Sequence, residues 1–317
     1  MRVTKAVGDT LRANILRVLE KDAFSVLELC TMFETAQPAM SHHLKILSSA
    51  QLLTKRREGT SVFYQRASAL GAPLVRAIFE ALDDVPMDAA LTTKVQTIHE
   101  QRAAQSRHFF AHNADALSQQ QTLVCIPDVY TTSVIDTVNS LPDLARQDAL
   151  EIGPGGGTLL NALAPHYRHV VGLDISAQML DQAAPAVAGL TNVELLEGDF
   201  TKLPDTRRFD LIVAAMVLHH LPSPASLFSQ AAHLLTEGGL LVIAELCEHD
   251  QDWVRDLCGD LWLGFDPEQL QRWATLSNLH RCEQKYLAQR NGFRVQVTAF
   301  RRSLASFQPN PLTPTPL

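Results

Sequence analysis

The stretch that decides the fold is rich in glycine and runs Glu151-Ile152-Gly153-Pro154-Gly155-Gly156-Gly157-Thr158. An apolar run precedes it and a helix-like segment follows, which predicts a strand, a tight turn and the start of a helix. Glycine suits this turn because it adopts backbone angles that other residues avoid and lets a ligand approach the main chain. A dinucleotide-binding turn carries its third glycine three residues after the second, where this chain has Thr158. The spacing therefore disfavours an ordinary NAD site.

The chain beyond residue 120 alternates short apolar segments with helical ones, which predicts a doubly wound α/β sheet with helices on both faces. Its sequence favours parallel strands and then an antiparallel hairpin, seven strands in all, at 148–152, 169–173, 192–197, 209–214, 239–245, 281–287 and 293–300. The segment 306–317 holds four prolines and is predicted to be disordered.

Acidic side chains follow two consecutive strands of this predicted sheet. Asp174 ends the second strand, where its carboxylate can accept hydrogen bonds from both hydroxyls of a ribose. Asp199 and Phe200 follow the third strand and offer an acceptor for an exocyclic amine and a ring for a base to lie beside. Together with the glycine turn, these strand ends indicate a ligand-binding edge of the sheet.

This combination resembles the class I S-adenosylmethionine-dependent methyltransferases over about residues 120–302. The resemblance implies that the glycines hold the amino-acid part and ribose of the ligand, Asp174 the ribose hydroxyls, and Asp199 with Phe200 the adenine. The ligand is then S-adenosylmethionine or S-adenosylhomocysteine, and the implied binding residues are Glu151, Gly153, Gly155, Gly157, Asp174, Ile175, Asp199, Phe200 and Met216.

Methyl transfer also needs a positioned acceptor and sometimes a base. The segment after the fourth strand lacks the Asn/Asp-Pro-Pro-Tyr/Phe pattern of methyltransferases that act on base or glutamine nitrogens, which disfavours DNA methylation. His219 and His220 stand there as candidate catalytic bases, although packing against the ligand or starting a helix also explains them. All three tryptophans follow between residues 253 and 273, where they either cover an acceptor, contact a linker helix or fill the core.

The first seventy residues differ in charge from the rest of the chain. They carry ten Lys or Arg and six Asp or Glu, whereas the whole chain has a net charge of −7. A basic head on an acidic body indicates contact with a polyanion. Helical periodicity at 11–19, a capping box from Ser25 to Glu28, a second helix from Gln37 and a basic hairpin around Gly59 predict a winged helix.

Two motifs carry a second resemblance, namely Gln37-Pro38-Ala39-Met40-Ser41-His42-His43-Leu44-Lys45-Ile46-Leu47 and the wing Arg56-Arg57-Glu58-Gly59. Over about residues 5–85 the chain resembles the ArsR-type transcriptional repressors. The resemblance implies a mostly α-helical winged helix-turn-helix domain and a homodimer that binds a two-fold site in double-stranded DNA. It implies DNA contacts from the second helix and the wing, through Gln37, Ser41, His42, Lys45, Arg56 and Arg57.

Many ArsR-type proteins sense metals, but this chain lacks their usual ligands. Ser25 and Leu27 occupy the places of the two cysteines of the thiolate site, and the helix after the wing lacks the Asp and His set. His108 and His112 lie four residues apart without an evident third ligand. No metal site is therefore predicted. The apolar face of residues 74–82 is expected to pack on a partner subunit or on the first helix.

Composition gives the broader class. The chain has 317 residues, 46% of them hydrophobic and 19% charged, which suits a protein of about two domains. Its start lacks the apolar core of a secretion signal and no segment reaches membrane length, so a cytoplasmic protein without membrane contact is expected. Five widely spaced cysteines favour reduced thiols over a disulfide framework.

The sequence thus predicts a multidomain chain with a winged helix at 1–84, a linker and connecting helix at 85–119, a methyltransferase-like domain at 120–305 and a tail at 306–317. Two functions remain open. In the first, the S-adenosyl ligand is an effector of a DNA-binding regulator, and the resemblance implies genes of the methionine and methyl cycle as targets. In the second, the chain is an active methyltransferase for a small molecule that also regulates its own operator. A pure interaction scaffold has little support.

Overall fold

The computed structural model describes residues 2–59, 61–69, 72–141 and 143–303, with only the backbone described at Arg2 and at 114–119. The predicted disordered tail at 306–317 lies outside these residues. Packing divides the chain into two compact units. The first contains the chain up to Val124 together with Val217–Leu227 and Glu245–Asp266, and the second contains Cys125–Met216, Phe228–Ala244 and the chain from Pro267 onward.

The first unit begins with a winged helix. Its elements are α1 (Arg2–Val7), α2 (Thr10–Val18), β1 (Phe24–Ser25), α3 (Val26–Phe33), α4 (Gln37–Ser49), β2 (Leu53–Glu58), β3 (Ser61–Arg66), α5 (Pro73–Asp83) and α6 (Ala89–Val124). The three strands form one sheet in the order β1-β3-β2, and both pairings are antiparallel. The predicted helix-turn-helix and basic hairpin are therefore present.

Local sequence explains how the two helices of the helix-turn-helix are placed. The side chain of Ser25 accepts a hydrogen bond from the backbone N–H of Glu28, whose carboxylate accepts one from the backbone N–H of Ser25, so the predicted capping box forms. Glu34 ends α3 in the left-handed conformation at φ 50°. The next helix, α4, buries Met40, Leu44 and Leu47 and so keeps its opposite face outward.

The two helices after the wing differ from each other in their packing. Val75 and Phe79 of α5 are buried in the core of the first unit, and Arg17 of α2 donates a hydrogen bond to the carbonyl of Leu82 at 3.2 Å. The apolar face of α5 thus packs against α2, which is the first helix that the sequence predicts, over residues 11–19. The connecting helix α6 is longer than the predicted 91–112 because no Gly or Pro interrupts it from Ala89 to Val124.

A seven-stranded sheet forms the centre of the methyltransferase-like fold. The elements are α7 (Pro127–Asn139), β4 (Asp148–Ile152), α8 (Thr158–Leu163), β5 (His169–Asp174), α9 (Ala177–Val187), β6 (Val193–Glu197), β7 (Phe209–Ala215), α10 (Pro224–Leu234), β8 (Leu235–Leu246), α11 (Trp253–Cys258), α12 (Pro267–Leu276), β9 (Leu279–Ala288) and β10 (Arg294–Arg302). The strand order is β6-β5-β4-β7-β8-β10-β9.

The pairing of the strands confirms the predicted fold class. The β4 strand pairs in parallel with β5 and β7, and the pairs β5 with β6 and β7 with β8 are parallel too. The last two strands form the predicted antiparallel hairpin. Every residue of β7 is buried, as expected for a central strand covered on both faces. Because Leu235 pairs with Phe209 ahead of a register irregularity, β8 begins earlier than the predicted residue 239.

Two further sequence-level expectations concern membranes and thiols. Within the described residues, no helix combines the length and the apolar character needed to cross a membrane. All five cysteines belong to the described part of the chain, and none forms a disulfide.

Candidate functional site

The glycine turn between β4 and α8 leaves space beside its backbone. Gly155 has φ +51°, and a Cβ placed on it would meet no atom within 4 Å. Gly157 has φ +78°, but a Cβ there would lie 2.9 Å from the carbonyl oxygen of Ala183. The turn is therefore closed by packing on α9 at Gly157 and open beside the backbone at Gly155. Gly153 shares the left-handed conformation, and its N–H donates to the carbonyl of Leu173 at 2.9 Å.

Asp174 and Ile175 lie at the carboxyl end of β5. The Oδ1 atom of Asp174 accepts a hydrogen bond from the backbone N–H of Ser176 at 2.9 Å. Burial raises the pKa of Asp174 to about 6, against the opposing effect of the backbone N–H groups of Ser176 and Ile175. Ile175 is apolar yet 51% exposed. This strand end thus presents a carboxylate and an apolar side chain, the pair expected for a ribose with its attached base.

Asp199 and Phe200 follow β6 at a short 3-10 turn. The Oδ1 atom of Asp199 caps this turn by accepting from the backbone N–H of Thr201 at 2.9 Å and from its hydroxyl at 2.7 Å. Its Oδ2 atom lies 3.6 Å from Nζ of Lys202. Phe200 is 7% exposed. The cap holds the carboxylate in one position beside β6.

Glu151 is the least solvated of the predicted ligand residues. It is 3% exposed, and its Oε2 atom has no hydrogen-bond partner. Burial raises the pKa of Glu151 well above the usual value, opposed only by a backbone hydrogen bond from Leu160. A buried carboxylate oxygen without a partner is uncommon in proteins.

Tyr130 of α7 belongs to the same region and has no motif that sequence reasoning could use. Burial, followed by the nearby charge of Glu151, raises the pKa of its phenol. Met216 follows β7 with φ 54°, an unusual backbone conformation for a residue with a side chain. Its N–H donates to the carbonyl of Ala244 at 2.8 Å, which holds this turn against β8.

The candidate DNA-binding face lies on α4. Gln37, Ser41, His42 and Lys45 are all exposed, opposite the buried residues of the helix. A groove of about 480 Å³ runs beside Ser41 and Lys45 and is also lined by Lys55 of β2. Lys55 is exposed and adds a cation that the sequence motif did not single out. A helix face of this kind is suited to the major groove.

The two arginines of the wing have different surroundings. Arg57 is exposed, with its Nε donating to the carbonyl of Gly59 at 3.1 Å. The Arg56 side chain is only 16% exposed, and its Nη1 donates to the carbonyl of Gly264 at 2.9 Å. Its Nε also lies 3.4 Å from Oε1 of Glu248. The structure therefore places Arg57, but not Arg56, on the open surface of the wing.

A buried carboxylate joins the wing to the segment 245–266. Glu58 is 3% exposed and forms ion pairs with both Arg56 and Arg255 of α11. Burial raises the pKa of Glu58, and the two arginines oppose that effect. Asp252 adds to the contact, since a Cβ on Gly59 would lie 2.5 Å from its Oδ2. These residues all belong to the first compact unit.

Arg102 of α6 makes a second connection in this unit. Its guanidinium pairs with Glu28 of α3 at 2.8 Å and donates to the carbonyl of Pro222 at 3.0 Å. It also lies over the ring of Trp262, 4.7 Å from the ring centroid. The helix-turn-helix, the connecting helix and the two inserted segments thus share one buried cation.

His219 and His220 lie on a 3-10 turn after β7 and are both buried. The Nδ1 atom of His219 is 2.7 Å from Oε1 of Glu245. Burial alone would lower the pKa of His219, but Glu245 and Asp260 outweigh it and raise the pKa to about 9. Burial, followed by the charge of His219, holds the pKa of His220 well below its usual value. The pKa values of the two candidate bases are thus shifted in opposite directions.

Comparisons with known proteins match both halves of the chain. Residues 7–56 match a family described as a helix-turn-helix domain, and residues 150–243 match one described as a methyltransferase domain. Over 169 residues the chain is 25% identical to the ubiquinone biosynthesis O-methyltransferase of Dechloromonas aromatica, a match that covers 46% of this chain and 69% of that protein.

Two further similarities extend this result. The chain is 28% identical over 184 residues to the malonyl-[acyl-carrier protein] O-methyltransferase of Haemophilus ducreyi, covering 52% of this chain and 67% of that protein. Among solved structures, magnesium protoporphyrin IX methyltransferase from Synechocystis, with bound SAH, aligns with a TM-score of 0.50 at 17% identity. That alignment covers 64% of this chain and 100% of the other, and it shows a shared fold.

Proposed function

The chain joins an ArsR-type helix-turn-helix domain to a methyltransferase domain of class I fold, and from this premise we propose that it is a transcriptional regulator controlled by an S-adenosyl ligand. In this proposal a homodimer binds a two-fold operator, with S-adenosylmethionine or S-adenosylhomocysteine as effector. Repression of genes of the methionine and methyl cycle is the proposed output, and S-adenosylhomocysteine is the effector we favour.

The second compact unit supplies the proposed effector site. The open space beside Gly155 accommodates a ligand against the backbone, and Asp174 accepts hydrogen bonds from the ribose hydroxyls. The unpartnered Oε2 of Glu151 fits the ammonium group of the amino-acid part, because a positive charge would favour the ionised carboxylate. The exposed Ile175 would lie against adenine, with Asp199 accepting from its exocyclic amine.

The α4 helix and the wing supply the proposed DNA contacts. Ser41 and His42 are placed to read base edges, while Lys45, Lys55 and Arg57 are placed to contact phosphates. In a two-fold dimer, two such helices would enter successive major grooves of one operator.

The observation that carries the proposal is the engagement of Arg56 and Glu58 by the segment 245–266. That segment continues directly from Ala244 in β8, and Val217–Leu227 continues directly from Met216, one of the proposed ligand residues. A ligand that favours one arrangement of these segments would therefore also favour one arrangement of the wing. The ligand changes DNA affinity to the extent that its own affinity differs between the two arrangements.

A second candidate function is methyl transfer to a small molecule. It is supported by the similarity to O-methyltransferases over 46% and 52% of the chain. S-adenosylmethionine would supply the methyl group, and His220, whose buried Nε2 has no hydrogen-bond partner, would accept a proton from the acceptor.

Selection of operator duplexes from a random pool, followed by fluorescence anisotropy with each ligand titrated separately, tests the proposal. We expect the ligand to change operator affinity by a factor of at least about five, which is the lower end of the range common for allosteric coupling. No change with either ligand, although calorimetry shows that both bind, would overturn the effector role. Production of S-adenosylhomocysteine from cell extract as acceptor source would then favour the enzyme.

A further inference from the structure

The first compact unit contains a group of buried side chains with the chemistry of metal ligands. His219 and His220 come from the turn after β7, and Asp260 comes from the loop after α11. One ligand atom from each residue lies within 4.8 Å of the others, and all three residues are buried. Asp260 is about forty residues from the adjacent histidines, so no spacing motif could join the three.

Two atoms in this group lack the partners that buried polar atoms normally have. The Oδ1 atom of Asp260 and the Nε2 atom of His220 are both buried without a hydrogen-bond partner. Asp260 is 4% exposed and His220 is 7% exposed. Leaving a buried polar atom unpaired costs about 1–3 kcal/mol, so each of these two atoms calls for a partner.

The surroundings of the imidazoles match those of histidines bound to a metal. The Nδ1 atom of His219 lies 2.7 Å from Oε1 of Glu245, and Nδ1 of His220 lies 3.3 Å from the carbonyl oxygen of Gly259. Metal-bound histidines commonly donate their other ring N–H to a carboxylate or a backbone carbonyl in this way. In His219 this leaves Nε2 facing Oδ1 of Asp260, and in His220 the Nδ1 atom lies 4.0 Å from the same oxygen.

The separations between the ligand atoms exceed those around a bound ion. Nε2 of His219 lies 3.9 Å from Oδ1 of Asp260. Two ligands of one tetrahedral Zn²⁺ ion at about 2.1 Å each lie about 3.4 Å apart. Binding one ion therefore requires this pair to approach by about 0.5 Å, and the widest separation, bounded by 4.8 Å, to shorten by at most about 1.4 Å.

The charge balance of the cluster also favours a cation. Two buried carboxylates, Glu245 at 0% exposure and Asp260 at 4%, face these histidines. Two nitrogens and one carboxylate oxygen are a ligand set that suits Zn²⁺ and related divalent transition ions, and it does not suit Mg²⁺ or Ca²⁺, which prefer oxygen.

The geometry points to a binding site for one divalent transition-metal ion, formed by His219, His220 and Asp260, with Glu245 orienting His219 from outside the ligand shell. This site goes beyond the S-adenosyl and operator sites, and it uses none of their residues. Because Asp260 belongs to the segment 245–266, a bound ion would tie that segment to the turn after β7.

Titration of the chelator-treated protein with Co²⁺ tests the site. Co²⁺ bound by protein ligands at a low coordination number absorbs visible light in intense d–d bands, so these bands report binding. We expect one equivalent of Co²⁺ with such bands, which Zn²⁺ displaces. His220→Asn and Asp260→Asn should each remove the bands, and Glu245→Gln should weaken Co²⁺ binding about 10–100-fold, as losses of outer-shell partners commonly do.

The matched control is the double variant His108→Ala, His112→Ala. These two side chains are exposed on α6 with ring centroids 4.3 Å apart, so they are the natural place for adventitious binding. The control should keep the bands and the Co²⁺ affinity of the wild type.

The proposal is overturned if the control loses the bands, if a folded Asp260→Asn or Glu245→Gln variant binds Co²⁺ as the wild type does, or if the wild type binds none. Far-UV circular dichroism establishes folding of each variant, and failure of this site leaves the ligand response of DNA binding untouched.

Discussion

Glu58 on the wing and Arg255 of α11 form an ion pair around a buried carboxylate although they are 197 residues apart in the chain. The same carboxylate also pairs with Arg56, and Arg255 donates in addition to the carbonyl of Leu261 at 2.9 Å. The wing is thereby held to a segment that continues from a strand of the methyltransferase fold. This relationship gives the proposed regulation a physical route.

Replacing Glu58 with Gln should uncouple the wing from the segment 245–266. The change leaves two partly buried arginines without their shared buried carboxylate, and breaking a fully buried pair in this way costs about 3–5 kcal/mol, which is an upper bound here. We expect the factor by which S-adenosylhomocysteine changes operator affinity to fall toward one, while the protein still binds the ligand without DNA. Anisotropy and calorimetry measure the two quantities.

Glu194→Gln is the matched control for that substitution. It removes a carboxylate that pairs with Arg207 at 3.2 Å within the second compact unit. The control should respond to the ligand as the wild type does. A full ligand response in a folded Glu58→Gln variant would show that the wing contact carries no coupling.

The two wing arginines should differ in the salt dependence of DNA binding. Arg57 is exposed, so Arg57→Ala should weaken binding to specific and random duplexes alike and lower the slope of log K against log salt by about 0.9. Arg56 is engaged with Glu58 and Gly264, so Arg56→Ala should leave that slope unchanged. Equal reductions of the slope in both variants would mean that Arg56 leaves its partners to bind phosphate.

Two alanine substitutions in the glycine turn should separate ligand binding from folding. Gly157→Ala places a Cβ 2.9 Å from the carbonyl of Ala183 at φ +78°, and we expect a loss of stability of about 1–3 kcal/mol. In Gly155→Ala the added Cβ meets no atom within 4 Å, so the loss of stability should be only the backbone strain at φ +51°, about 1–2 kcal/mol. The same Cβ fills the open space, so we expect ligand affinity to fall about tenfold or more.

Thermal unfolding and ligand calorimetry of these variants provide the comparison. Gly156→Ala is the control for backbone strain, because a Cβ there also meets no atom within 4 Å but the residue does not have a positive φ. Unchanged ligand affinity in Gly155→Ala would place the ligand elsewhere.

Ligand affinity should fall as the pH drops below about 6. The ribose hydroxyls require ionised Asp174, and burial raises its pKa to about 6, so protonation removes the acceptor through that range. Asp174→Asn should bind more weakly at neutral pH and lose this inflection. Calorimetry across the pH range measures both effects. An inflection at the same pH in Asp174→Asn would assign it to another group.

The parts of the protein that local sequence specifies were predictable. A capping box, a glycine turn and an acidic residue at a strand end each depend on neighbours within a few residues, so the winged helix and the strands beside the ligand residues followed from patterns, whereas the order of the strands in the sheet did not. Tyr130 was not predictable, because nothing near it in the sequence marks a phenol whose pKa is raised by the charge of Glu151.

Contacts between distant segments were not predictable in the same way. Arg56 carries the pattern of a phosphate-binding residue, yet its partners Gly264 and Glu248 lie about two hundred residues away. The pairing of His219 with Glu245, and the position of Asp260 beside both histidines, likewise require the fold. Only the three-dimensional arrangement shows which charged groups share a buried volume.

The most direct test of ligand-controlled DNA binding is a closed thermodynamic cycle. Operator affinity is measured with and without saturating S-adenosylhomocysteine, and S-adenosylhomocysteine affinity is measured with and without saturating operator. The account predicts the same factor, at least about fivefold, in both directions, because coupling between two sites is reciprocal. A factor of one in both directions, with each ligand bound, would contradict it.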